Sequence, residues 1–412
     1  MAKKPIQNDL LVGIDIGTSK IVTLVGSMMP DGKLTIHGMG SHPSEGLKRG
    51  VVVNIESTAR SIQRSVEAAE EQAGCEVYSA YAGIAGSHIR SMNSHGIVAI
   101  QEREVSKFDV DRVLDAAKAV ALPADQKVLH VLPQQFMIDN QDAIREPLGM
   151  SGVRLEVKVH IVTGALGAAQ NIVKCMSRCG LTANDIVLEQ VASSHSVLLE
   201  DEKELGVCMI DIGAGTCDIA VFLDGAIRHT AVIPIAGDQV TNDIAIALRT
   251  PSRSAEEVKM KYGCALQEQV DVQDMIELPP IGERAGKRIS KRALAEVIEA
   301  RYEELFTLVA NELHRAGLDD LLAAGIVLTG GASKVPGAVE LAERIFRMPV
   351  RLGVPEAVYG MPEINNNPIY ATSVGLLMYG HRERQNGHEI MLDQPNAKTL
   401  WSRMRSWFQG NF

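Results

Sequence analysis

Cysteine, basic residues and aromatics are all in short supply. Six cysteines are spread over 412 residues. That is too few for a disulfide scaffold, and none has the Cys-x-x-Cys spacing of a zinc site, so they read as reduced, buried thiols of a cytosolic protein. Lys and Arg number 41 against 51 Asp and Glu, a net charge of −10. Such a surface does not attract a phosphodiester backbone, and no nucleic-acid partner is expected. No run approaches the roughly 18 apolar residues of a membrane-spanning helix. The opening MAKKPIQNDLL lacks the apolar core and small-residue cleavage site of a signal peptide. There is no GxxxxGK[ST], which excludes a P-loop NTPase. There is also no GxGxxG followed by an acid on a second strand, which disfavours a dinucleotide-binding dehydrogenase. What remains is a globular composition, 46% hydrophobic and 22% charged, with length for two or three domains.

The chain repeats itself. Residues 10–19 read LLVGIDIGTS and residues 207–216 read VCMIDIGAGT. Each is an apolar run into Asp-Ile-Gly, then small hydroxyl residues, then a second apolar run. Two related α/β domains are expected, each opening with a strand–turn–strand. In each turn a strand delivers an Asp, Gly lets backbone N–H groups approach phosphate oxygens, and the hydroxyls add donors. Asp15 and Asp211 would hold Mg2+ through its waters, because that ion dehydrates reluctantly. A third element, IVLTGGASKVPG at 326–337, runs a strand into Gly330-Gly331 and then a helix starting near Pro336.

Apolar residues at one-face spacing predict helices over 55–74, 164–179, 289–316 and 336–347, and strands at 159–163, 184–188 and 325–329. Alternating strands and helices imply an α/β architecture. Residues 83–161 lack a DIG turn and read as an inserted subdomain, with a helix near 109–121 and strands near 127–138 and 153–159. Residues 381–397 are polar and turn-rich, a linker.

Taken together, GIDIGTSK (13–20), MIDIGAGTCDIAVF (209–222) and LTGGASKVPG (328–337) resemble phosphate 1, phosphate 2 and the adenosine motif of the actin/Hsp70/sugar-kinase superfamily. Segments 164–180 and 366–380 fit its two connecting helices. The run PSEGLKRGVVVNIEST (43–58), the insertion and an aromatic-basic tail narrow the resemblance to the bacterial cell-division actins, the FtsA family. The resemblance implies an actin-like ATPase fold, two related α/β domains around a nucleotide cleft. The insertion would replace the usual second actin subdomain. It also implies subdomains at 1–82, 83–161, 162–195, 196–240, 241–319, 320–365 and 366–380, ahead of the linker and a helix at 398–412.

Carried over by residue, Asp15, Gly17, Thr18, Ser19 and Lys20 would line the first phosphate loop. Asp211, Gly213, Gly215 and Thr216 would line the second. Gly330, Gly331 and Ser333 would pack on adenosine, and Glu256 with Lys259, one helical turn apart, would serve ribose and adenine or form a surface ion pair. ATP and Mg2+ are the implied cofactors. Actins place a Gln or Glu at the start of the first connecting helix to position the attacking water. Residues 163–169 hold no acid, amide or His, Gln170 lies one turn too late, and His160 reads as structural. Slow or absent hydrolysis is therefore expected, and no catalytic residue is assigned. A small-molecule kinase of the same superfamily is the alternative, although it needs a cleft Asp not seen here.

The resemblance also implies self-association into filaments, docking of later division proteins on 83–161, and capture of the C-terminal peptide of the tubulin-like protein FtsZ, with Lys291 and Arg301 as contacts. The tail speaks for itself. Of 16 aromatic residues (7 Tyr, 7 Phe, 2 Trp), Trp401, Trp407, Phe408 and Phe412 fall in the last twelve positions. Leu400, Trp401, Met404, Trp407 and Phe408 form one helical stripe, with Arg403 and Arg405 off it. That pattern suits a helix lying in the interface of an anionic membrane; the resemblance implies that this membrane is the bacterial inner membrane, at its cytoplasmic face and at the division site.

Overall fold

The computed structural model describes residues 10–278 and 288–385. In chain order the first domain opens with β1 (Leu11–Ile16), β2 (Lys20–Met28), β3 (Leu34–Pro43), the small hairpin β4 (Leu47–Lys48) and β5 (Val51–Val52), α1 (Ile55–Ala73) and β6 (Ser79–Ile84). The insertion follows as β7 (Arg90–Ala99), α2 (Lys107–Lys118), β8 (Gln126–Ile138), β9 (Gln141–Ile144) and β10 (Arg154–Ala165). The chain returns through α3 (Leu166–Arg178), β11 (Thr182–Leu188), α4 (Glu189–Val197) and α5 (Glu200–Leu205). The second domain holds β12 (Val207–Ile212), β13 (Cys217–Leu223), β14 (Ala226–Ile233), α6 (Gly237–Leu248), α7 (Ser252–Tyr262), β15 (Met275–Glu277), β16 (Arg288–Ser290), α8 (Lys291–Arg315), β17 (Gly325–Thr329), α9 (Ala338–Phe346) and β18 (Val350–Leu352). Then β19 (Val358–Tyr359) and α10 (Ala371–Gln385) return to the first domain.

The repeat seen in the sequence is a repeat in topology. One sheet runs β11-β6-β1-β2-β3-β19, the other β14-β13-β12-β17-β18. In each, the DIG strand pairs antiparallel with its successor on one side, Ile16 opposite Ile21 and Ile212 opposite Cys217. On the other side it pairs parallel, β1 with β6 and β12 with β17. The central strands are buried on both faces and read as unbroken apolar runs. In the first domain Ile62, Val66 and Ala69 of α1 and Ile172 and Met176 of α3 cover one face of the sheet. In the second, Leu294, Ile298 and Phe306 of α8 join α6, α7 and α9 over the other sheet. Helix α1 starts where the Asn54 side chain accepts the Ser57 N–H at 3.0 Å and stops at Gly74 with φ +66. The insertion has its own core, with Val110, Val113 and Leu114 of α2 packed on Leu155, Val157 and Val159 of β10.

Helices α4 and α10 cross beneath the junction of the two sheets. A Cβ on Gly375 would lie 1.9 Å from the Ala192 carbonyl oxygen, so only glycine permits the crossing. Gly375→Ala should therefore cost about 1–3 kcal/mol, read as a lower Tm by calorimetry. An unchanged Tm would refute the close approach.

Four expectations shift in detail. The strands expected at 153–159 and 159–163 are one twelve-residue strand, β10, paired with β8 through to Ala165, so the inserted sheet passes residue 161. Pro336 lies before the helix it was expected to start, because Gly337 at φ +81 caps α9. Residues 381–385 continue α10 rather than opening a linker. The segment 164–180 is a helix but does not connect the domains, as the site below makes plain. No helix among the described residues is long and apolar enough to cross a membrane.

Candidate functional site

Equivalent ends of the two sheets bring carboxylates together. Asp15 and Asp211 are the penultimate residues of β1 and β12, and α4 and α10 supply their hydrogen bonds. Ser193 of α4 donates to Asp211 Oδ2 at 2.6 Å, and Thr372 of α10 donates to the same oxygen at 3.3 Å. Ser373 donates to Asp15 Oδ2 at 3.2 Å. Asp218, on β13, accepts from Thr216 at 2.8 Å through Oδ2, while its buried Oδ1 has no partner. Glu189, the first residue of α4, completes the group.

Burial pushes Asp15 up to about 6. Lys20 opposes the rise, and Asp211 adds to it. Burial and then the charge of Asp211 push Asp218 up to about 7. Burial, then the charges of Asp15, Asp218 and Asp211, hold Glu189 well above the usual carboxylate range. Asp211 is also raised by burial, against the Ser193 and Thr372 bonds. Four acids with an orphaned carboxylate oxygen fit a cation. No group of three or more His, Cys, Asp or Glu among the described residues is arranged to hold a metal ion.

The two turns face each other above this floor. A Cβ on Gly215 would lie 2.6 Å from Thr18 Oγ1. Gly17, Thr18 and the exposed Ser19 link β1 to β2, and Gly213, Gly215 and Thr216 link β12 to β13. Lys20 Nζ stands 4.7 Å over the Tyr370 ring, and burial lowers its pKa. The first turn of α6 clamps the second loop: the Gly237 N–H donates to Gly213 at 3.1 Å and the Asp238 N–H to Ala214 at 2.8 Å.

Beside that clamp lies the GlyGly turn. Gly330 has φ +86, and a Cβ there would lie 2.3 Å from Asp211 Oδ1, so glycine is required both for conformation and for space. Gly331 is exposed. The buried Ser333 donates its hydroxyl to the Gly330 carbonyl at 2.6 Å; it shapes the turn and has no hydroxyl hydrogen left for a ligand. Glu256 and Lys259 pair at 2.6 Å, and they are no loose surface couple. Lys259 also donates to the Gly237 carbonyl at 3.0 Å and to Thr241 at 2.8 Å, and Thr241 donates to Glu256. Gly237 thus stands between Lys259 and Ala332, joining the pair to the GlyGly turn.

The helix that joins the domains is α4, not the 164–180 segment. Helix α3 packs against α1 on the outer face of the first sheet, with Arg178 paired to Glu56, and Gln170 is exposed there. Helix α4 precedes β12, crosses α10 and begins with Glu189. Residues 163–169, expected to open the connecting helix, are instead the end of β10 and the head of α3. The available signal was the acid and amide of VLEQ directly after the apolar run at 184–188. His160 is structural: its Nδ1 meets Asn93 Oδ1 at 2.8 Å and its Nε2 meets Thr230 Oγ1 at 2.9 Å, tying the insertion to β14.

The two residues assigned to a peptide partner lie apart from the cleft. Arg301 forks onto Asp243 of α6 at 2.5 and 3.0 Å and also pairs with Glu304. Lys291 Nζ is 3.9 Å from Asp274. Reversing Arg301 would set a carboxylate against Asp243, so Lys291 is the cleaner probe of partner binding. Leu400, Trp401, Arg403, Met404, Arg405, Trp407 and Phe408 lie outside the described residues.

Comparison with known proteins agrees with this geometry. The family model of the cell division protein FtsA matches residues 208–375, and that of the SHS2 domain inserted in FtsA matches 86–163. The chain is 61% identical over 410 residues to the cell division protein FtsA of Pseudomonas aeruginosa, covering 98% of each. It is 44% identical to that of Escherichia coli K12, covering 99% of this chain and all of the other. Among solved structures it resembles a PilM–PilN type IV pilus biogenesis complex, with a TM-score of 0.67 and 18% identity over 90% of this chain and 98% of that one. It also resembles MreB5 of Spiroplasma citri bound to ADP, with a TM-score of 0.58 and 14% identity over 92% and 98%. The fold is that of the actin-like ATPases, and the chain belongs to the FtsA family of cell-division proteins.

Proposed function

We propose that this chain binds ATP with Mg2+ between its two domains and acts as an actin-like adaptor of cell division. It would assemble on the cytoplasmic face of the inner membrane at the division site. The observation that carries the nucleotide reading is the meeting of two equivalent DIG turns over Asp15, Asp211, Asp218 and the orphaned oxygen of the last. Backbone N–H groups of residues 17–19 and 213–216 would hold phosphates, with Lys20 as their counter-charge. Gly330, Gly331 and the Glu256–Lys259 pair would border the nucleoside. Asp15 and Asp211 would hold the Mg2+ waters, and the ion would neutralise phosphate charge. Glu189 would orient the water for hydrolysis and accept its proton. MreB5 of Spiroplasma citri, a structural neighbour, is known bound to ADP and to AMPPNP, which supports the class of ligand. The small-molecule kinase alternative draws no support from relatives at 61% and 44% identity.

The adaptor reading rests on family membership and on the tail. Residues 398–412 would fold on anionic lipid, residues 83–161 would meet later division proteins and neighbouring copies, and α8, with Lys291, would meet the acidic FtsZ peptide. One helix of this length is marginal in water and holds the membrane reversibly. A filament carrying many would hold far more tightly, because each later contact is intramolecular. Trp407→Glu tests this. It places a charge on the apolar stripe, and with the loss of about 2–3 kcal/mol of burial vesicle partitioning should weaken about tenfold or more. ATP binding should be unchanged. Sedimentation with anionic vesicles equal to that of the unaltered chain would reject the tail as the anchor.

A further inference from the structure

The hairpin β4–β5 has no part in the reading above, yet its tip occupies the cleft. Strands β4 and β5 pair Lys48 with Val51, leaving a two-residue turn of Arg49 and Gly50. Their φ angles are +50 and +75, the left-handed pair of a type I′ turn. Gly suits the second position. The first favours Asn, Asp or Gly, so an arginine there gains the turn nothing.

The tip touches both phosphate loops. The Gly50 N–H donates to Thr18 Oγ1 at 3.0 Å, and a Cβ on Gly215 would lie 2.9 Å from the Arg49 Cα. A Cβ on Gly50 would lie 3.0 Å from the Ala85 carbonyl carbon and the Gly86 nitrogen, where β6 leaves for the insertion. Arg49 is exposed, and among the described residues it makes no ion pair. A cation is therefore held by its backbone against two anion-binding turns, its own charge unspent. Direction along the cleft follows from the second loop. The nucleoside side meets that loop at Gly213 through Gly237, and Arg49 meets it two residues further on, at Gly215. A phosphate chain running from the first point to the second ends at Arg49.

We propose that Arg49 contacts the terminal phosphate of a bound nucleoside triphosphate and so distinguishes it from a diphosphate. This rests on the nucleotide-site reading. Its planar fork matches two phosphate oxygens. Because the same tip abuts Ala85 and Gly86, the contact places the third phosphate one residue from the root of the insertion.

The test is titration of the full chain, with Mg2+, against fluorescent ATP and ADP analogues. Arg49→Ala and Arg49→Gly should weaken ATP about tenfold or more, the worth of one charged hydrogen bond, and leave ADP within twofold. Arg49→Lys should recover part of the loss. Glycine relaxes the left-handed backbone, so Arg49→Gly should melt at or above the unaltered chain, and misfolding cannot explain its phenotype. Equal weakening of ATP and ADP, or weakening of neither, overturns the proposal. If the unaltered chain binds neither nucleotide, the nucleotide-site reading itself falls, and this proposal with it.

Discussion

Glu189→Gln should lower steady-state ATP turnover about 100-fold or more, the range for loss of a positioned general base. Its Kd for ATP should stay unchanged or tighten. Both halves follow from position. Glu189 heads α4 beside Asp15, Asp211 and Asp218, and their charges, after burial, hold its carboxyl well above the usual range. A carboxylate there can accept a proton from water attacking a phosphate; a carboxamide can orient the water but cannot take the proton. Removing one acid from a crowded group also eases the approach of an anionic ligand. The expectation of little hydrolysis came from residues 163–169, which the fold places at a strand end and at the head of the outer helix α3. Turnover measured on monodisperse protein, with single-turnover quench for slow rates, decides the matter. A Glu189→Gln protein as fast as the unaltered chain would remove Glu189 from the chemistry.

The two helices differ in how much of their burial the sequence displays. Helix α3 has an apolar stripe, Ala169, Ile172, Cys175 and Met176, against α1 and a polar face to solvent, so its period is visible in sequence. Helix α4 is EQVASSHSV, and seven of its nine residues are buried. A helix covered on nearly all sides shows no stripe. Its small Ser and Ala side chains serve close crossing with α10 and hydrogen bonds to Asp211, neither of which has a one-dimensional signature. The DIG strands were legible for the opposite reason. Full burial in a parallel-flanked sheet demands unbroken β-branched runs, and the glycine turn ends each at a fixed place. Asp218 has no such signature: it sits in an apolar run, DIAVF, and only the pairing of β13 with β12 sets it opposite Asp211. The spacing of Glu256 and Lys259 puts them on one face of α7, but their bonds to Gly237 and Thr241 depend on where α6 lies in three dimensions.

Neutralising Asp218 should stabilise the empty protein, and only above acidic pH. An aspartate free in the unfolded chain titrates near 3.8, and the folded environment moves this one to about 7. Below 4 both states hold the proton and nothing is lost. Between 4 and 7 the unfolded chain releases it while the folded chain keeps it, so the folded state binds more protons and stability falls as pH rises. Above 7 the loss is complete, up to about 4 kcal/mol from roughly three pH units of separation. Asp15, held at about 6 by burial, adds a loss of the same sign. Asp218→Asn retains an oxygen for the Thr216 hydroxyl and abolishes the charge. Its Tm at pH 8 should exceed that of the unaltered chain by several degrees, at about 2–4 °C per kcal/mol for a chain of this size, and the gap should close by pH 4.5. Saturating Mg2+ with ATP should narrow the gap at pH 8 as well, because the ion supplies to the unaltered carboxylates the charge that the substitution makes unnecessary. Calorimetry at the two pH values reads all of this. A variant no more stable than the unaltered chain at pH 8, or one equally more stable at both, would mean that Asp218 carries no buried charge and that the floor of the cleft does not call for a cation.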